Sequence, residues 1–161
     1  MTRDYRHTEI IAGVLAILIG ILALGLFFWH FISLNELVEI VNYSSSKFVL
    51  NFILKNLFPI TLSLLLIFGG ITFILRKRTG WILLTIVSSY YFISLTINLL
   101  LGLKENDNEN IWIPVLTLIP FILILIFTLS KPCRKNNLIN RKSILWVLSC
   151  LSILLIYSFA F

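Results

Sequence analysis

The stretch that decides the fold is 10–32, IIAGVLAILIGILALGLFFWHFI, 23 residues without an Asp, Glu, Lys or Arg among them. An α-helix rises 1.5 Å per residue, so about 20 apolar residues cross a hydrocarbon core of ~30 Å. The run is long enough to span. Lipid offers no partner to a backbone N–H or C=O, so such a segment must satisfy its own backbone as a helix. A strand of a membrane barrel would alternate polar and apolar residues over about 10 positions, and this one does not alternate. The same criteria select 57–75, 81–103, 111–129 and 143–161. The expected fold is an all-α membrane protein, a bundle of about five transmembrane helices forming one integral membrane domain over 1–161.

Composition agrees with that expectation. Hydrophobic residues make up 59% of the 161-residue chain and charged residues 12%, with a mean hydropathy of +1.01. A soluble domain carries about 25% charged residues, so this chain has half the charge needed to cover a soluble surface. Disorder, a disulfide-stapled secreted scaffold and a nucleic-acid-binding module are excluded on the same grounds.

Five spans divide the scarce charges unevenly. Arg3, Arg6, Arg76, Lys77, Arg78, Lys131, Arg134, Lys135, Arg141 and Lys142 fall on the amino-terminal side, with Asp4 and Glu9. Lys47, Lys55 and Lys104 fall on the other, with Glu36, Glu39, Glu105, Asp107 and Glu109. Basic residues in short loops stay in the cytoplasm, which predicts a cytoplasmic amino terminus, an external carboxyl terminus, and contact between the basic side and anionic lipid head groups. The first apolar run exceeds the 7–15 residues of a signal-peptide core, which argues against cleavage. The high Asn, Lys and Ile content suggests a bacterial cytoplasmic membrane. Asn42-Tyr43-Ser44 is a formal glycosylation sequon with meaning only in a eukaryotic secretory membrane.

Between the first two spans, 33–56 is expected to form an amphipathic interfacial connector. Ser33 and Glu36 have capping-box spacing, and Leu34, Leu37, Val38 and Val41 share a helical face opposite Glu36 and Glu39. Lys47, Asn51 and Lys55 then recur every four residues along an otherwise apolar segment. Because an ammonium deep in the bilayer is costly, this segment is expected to lie along the outer surface, with Asn56 capping the second span and Pro59 in its first turn.

Two features inside the bilayer stand out. Ala12, Ala16 and Gly20 form a small-residue face on the first span, the pattern that lets helix backbones approach closely. Ser88, Tyr91, Ser94 and Asn98 share one side of the third span, which should face the bundle interior. Pro120 should kink the fourth span. Trp29, His30, Tyr43, Trp81, Trp112 and Trp146 sit at predicted span ends, as an aromatic belt does.

The chemistry expected is sparse. With no acidic or basic residue inside a predicted span, proton-coupled carriers and intramembrane peptidases are disfavoured. His7 and His30 lie near opposite surfaces, so neither a haem pair nor a metal cluster is expected, and no cofactor is implied. Cys133 is the one candidate for reactivity, since Lys131, Arg134 and Lys135 should lower its pKa. The leading expectation is a non-enzymatic accessory or assembly subunit that packs against other membrane subunits or against itself. The alternatives are a small channel or transporter using the polar face of the third span, and a membrane sensor or immunity protein.

Overall fold

The computed structural model describes residues 4–40, 45–104 and 112–160, with side chains described at 6–34, 49–102, 112–135 and 137–157. Among these residues helices are the only regular secondary structure, joined by short turns: α1 (Asp4–Ile40), α2 (Ser45–Ile74), α3 (Arg78–Lys104), α4 (Trp112–Leu129), α5 (Lys131–Asn136) and α6 (Arg141–Ala160). Among the described residues four helices are long and apolar enough to cross a membrane, namely Arg6–Leu34, Val49–Ile74, Arg78–Gly102 and Trp112–Leu129.

These four close a ring. α1 packs on α2, α2 on α3, α3 on α4, and α4 back on α1, while α6 lies outside the ring against α3. Leu62, Leu66, Phe73, Trp81, Leu84, Val87 and Ile124 fill the interior. Hydrophobicity gives helices no drive to associate in lipid, so close fit must hold them together. The fit is tightest between α1 and α2. A Cβ added at Gly13 would lie 2.9 Å from the Gly70 carbonyl oxygen, and one at Gly20 would lie 2.8 Å from that of Ser63. Ala12, Ala16 and Gly20 are all buried, on a helix whose backbone meets that of α2.

The connector departs from its expected form. α1 runs unbroken through Ser33 to Ile40, and α2 runs unbroken from Ser45 through Asn56 and Pro59. Neither polar residue caps a helix. Ser33 Oγ donates to the Trp29 carbonyl at 3.1 Å and Asn56 Nδ2 to that of Phe52 at 2.8 Å, each a bond one turn back within its own helix. Pro59 deprives only the Lys55 carbonyl of its usual donor, which is not enough to end a helix anchored by packing on α1 and α3. The sequon at 42–44 lies outside the described residues, as do the side chains of Glu36, Glu39 and Lys47.

Two turns end in left-handed caps on residues other than glycine. After α2, Lys77 N–H donates to the Thr72 carbonyl and Arg76 N–H to that of Phe73, both at 2.9 Å, with Arg76 at φ 56°. After α5, Ile139 N–H donates to Arg134 and Leu138 N–H to Lys135, with Leu138 at φ 52°. Both are Schellman caps, whose left-handed position favours glycine. The first turn is so tight that a Cβ on Gly80 would overlap the Phe73 backbone nitrogen.

Candidate functional site

The polar groups of the bundle gather at the end where α1 begins, α2 turns into α3, and α4 gives way to α5 and α6. Glu9 accepts a hydrogen bond from Arg76 Nε at 2.9 Å. The carboxylate side chain is 3% exposed and the guanidinium 45%. A buried carboxylate is costly without a countercharge, and the left-handed cap at Arg76 aims the side chain back at α1. A glycine would suit the backbone better but would carry no charge.

A second bridge joins Arg78 Nη2 to Asn140 Oδ1 at 2.9 Å, and that oxygen also accepts from the backbone N–H and the hydroxyl of Ser143, each at 3.0 Å. This caps α6 and ties it to the start of α3. The indole of Trp81 donates to the Thr128 carbonyl at 2.6 Å. In a continued helix that carbonyl would accept from residue 132, which is Pro132 and has no N–H. Trp81 supplies the missing donor and is 2% exposed. It belongs to the interior rather than to an aromatic belt, whereas Trp29, Trp112 and Trp146 are exposed.

Cys133 lies in this knot and not in a basic surface loop. Its side chain is buried among the core residues. Burial, and after it the nearby Glu9 carboxylate, push the thiol up to about 12 against a smaller opposing effect of the hydrogen bond from Asn137. The expectation of a lowered pKa is therefore overturned. Lys131 and Lys135 are exposed and Arg134 is half-buried, so the cations that flank Cys133 in sequence do not govern it. A thiol in this state is a poor nucleophile.

The polar face of α3 is split by depth. Ser88 is fully buried, and its Oγ has no hydrogen-bond partner among the described residues. Tyr91 stacks on Phe121 with centroids 4.8 Å apart. Ser94 is half-buried, while Asn98 is exposed and so does not share the interior position expected of it. Between Ser88 and Ser94, rings from four helices touch in sequence: Tyr157 on Phe58, Phe58 on Tyr90, Tyr90 on Tyr91 and Tyr91 on Phe121. These rings form one aromatic layer joining α2, α3, α4 and α6.

Pro120 lies inside α4, which continues on both sides of it. Asn51 and Lys55 are exposed on α2, within the candidate span Val49–Ile74. Among the described residues no group of three or more His, Cys, Asp or Glu side chains is placed to hold a metal ion.

Glu9, Arg76, Asn137 and the Trp81–Thr128 bond carry no motif that marks them in the sequence. One signal was present for Glu9: it is one of only two acids on the basic side and adjoins the apolar run. No family model, curated protein or solved structure matches the chain.

Proposed function

We propose that this chain is a non-enzymatic, five-span protein of the bacterial cytoplasmic membrane that serves as an accessory or assembly subunit of a larger membrane complex. Its amino terminus lies in the cytoplasm and its carboxyl terminus outside. α6 is the fifth span. The orientation is supported by the ten basic residues on one side, whose segments at Arg76, Arg78 and Asn140 meet at one end of the bundle.

The observation that carries the reading is the placement of α6. Its inner stripe, Ser143, Val147, Leu151 and Leu154, packs on the bundle, while Leu145, Ser149, Ser152 and Ile156 lie exposed on the opposite side. These four follow a spacing of four, three and four residues, one face of a helix. Two serines on a lipid-facing stripe gain nothing from lipid, but they permit close approach of another helix. The small-residue face of α1 is consumed within the chain against α2, so α6 is the helix left to present such a face.

Purification in mild detergent is expected to give a complex, with a partner or a second copy that cross-links to Ser152→Cys. A solitary monomer whose Ser152→Cys forms no cross-link in membranes would refute the reading. A small channel or transporter is the second reading, motivated by the partnerless hydroxyl of Ser88. Liposome flux abolished by Ser88→Leu with Asn98→Leu would favour it over the first.

A further inference from the structure

At the basic end of the bundle, a cleft of about 230 Å³ opens between α3, α4 and α6. Arg134 of α5 stands over it, and Thr85, Ser89, Leu129, Leu148 and Leu151 are among its walls. Along α3 the lining runs from Trp81 to Ser89, about 12 Å at 1.5 Å per residue.

Three observations identify the occupant. First, the guanidinium lacks a countercharge. Among the described residues Arg134 forms no ion pair, and the buried Glu9 at this end is paired with Arg76. Second, the polarity is that of an amphiphile: the Arg134 cation follows the end of α4, and the rest of the lining along α3 and α6 is mostly apolar, with Thr85 and Ser89 its polar members. Third, the cleft lies beside two candidate spans, Arg78–Gly102 and Trp112–Leu129, so on the membrane reading of the chain lipid borders it.

We propose that this cleft is a binding site for an anionic phospholipid, whose phosphate pairs with Arg134 and whose acyl chain lies along α3 and α6. A guanidinium presents paired donors that match a phosphate, and basic pockets between membrane helices select anionic head groups. The site rests on the membrane reading of the chain but not on its membership of a complex. A monomer that retains the lipid would leave this proposal standing while removing the other.

The test is retention of lipid by the full chain reconstituted in nanodiscs of mixed phosphatidylglycerol and phosphatidylcholine, then released into detergent and weighed by native mass spectrometry. Wild type is expected to keep one phosphatidylglycerol. Arg134→Gln should lower that occupancy about tenfold, a charge-assisted pair's worth. Leu148→Trp should lower it by filling the cleft, and it is tolerated because Leu148 is exposed. Lys135→Gln, which removes an exposed charge in the same segment, should leave it unchanged. Melting of each variant reports whether it folds. Equal loss from Lys135→Gln and Arg134→Gln would mean diffuse attraction and overturn the site. So would equal retention of phosphatidylcholine, or displacement of all lipid by a co-purifying protein cross-linked at Leu148→Cys.

Discussion

One added methyl group at Gly70 tests the contact that holds α1 to α2. A Cβ there would lie 2.6 Å from the Gly13 carbonyl oxygen, 2.8 Å from Ile17 Cγ1 and 3.3 Å from the Ile17 nitrogen. Two of these atoms are backbone and cannot rotate aside. Reaching an ordinary contact of 3.4 Å requires the helices to part locally by about 0.8 Å, and a gap of 0.5–1 Å forfeits roughly a quarter to a half of each affected van der Waals contact. Overpacking of this kind costs about 1–3 kcal/mol. Gly25 is the internal control, since a Cβ there meets nothing within 4 Å, and alanine is the better helix former by about 1 kcal/mol. Unfolding can be followed with a thiol-reactive fluorophore in a Cys150→Ala background, because Cys133 is buried until the bundle opens. The same gain of about 1 kcal/mol offsets part of the cost at Gly70, so at about 2–4 °C per kcal/mol for a chain of this size Gly70→Ala should melt up to about 8 °C below wild type and Gly25→Ala at or above it. Gly70→Ala melting with Gly25→Ala would refute close backbone packing as the source of α1–α2 cohesion.

Other outcomes follow from the same geometry. The two left-handed caps should respond oppositely to glycine: Leu138→Gly, at a side chain 80% exposed, should stabilise by about 1 kcal/mol by relieving the backbone, whereas Arg76→Gly should destabilise because it takes the guanidinium from Glu9. Glu9→Gln should shrink the effect of Arg76→Gly in a double-mutant cycle by about 1–2 kcal/mol, below the range for a fully buried pair because Arg76 is half in solvent; additive effects would disprove the coupling. The Cys133 thiol is raised from about 9 to about 12, so at pH 7 the folded protein should alkylate about a thousandfold more slowly than an ordinary thiol. The stability linked to a raised pKa is fully present below pH 9 and lost as pH climbs toward 12; melting of wild type should therefore fall relative to Cys133→Ala across that window, and parallel curves would contradict it. Ser88→Ala removes a buried hydroxyl without a partner and should be neutral or stabilising by up to about 1 kcal/mol. A large loss of stability there would reveal a hydrogen bond to Ser88.

The apolar run 10–32, and its counterparts in α2, α3 and α4, were legible because apolar length and an absence of charge are properties of each segment alone. Lipid demands helices of any such run whatever its neighbours. The small face at Ala12, Ala16 and Gly20 was equally visible, but its partner was not, since the spacing that welcomes another helix is the same for α2 as for a separate subunit. Only the close approach of the Gly13, Gly20 and Gly70 backbones assigns it to the chain itself.

Caps and charges depended on tertiary context most. Ser33 and Asn56 carry the chemistry of helix caps, yet their side chains bond one turn back because the helices packed around them continue. Cys133 is surrounded by cations in sequence and by core residues in space, and burial outweighs charges that solvent screens. Apolar length and the run of charges along the chain dictated a set of apolar helices separated by charged segments. Packing fixed which faces are used up in a closed four-helix ring, which buried carboxylate needs Arg76, and which helix, α6, stands outside with a face uncovered. Apolar length acts within a segment, whereas packing and electrostatic pairing join residues such as Glu9 and Arg76 that only the fold brings together.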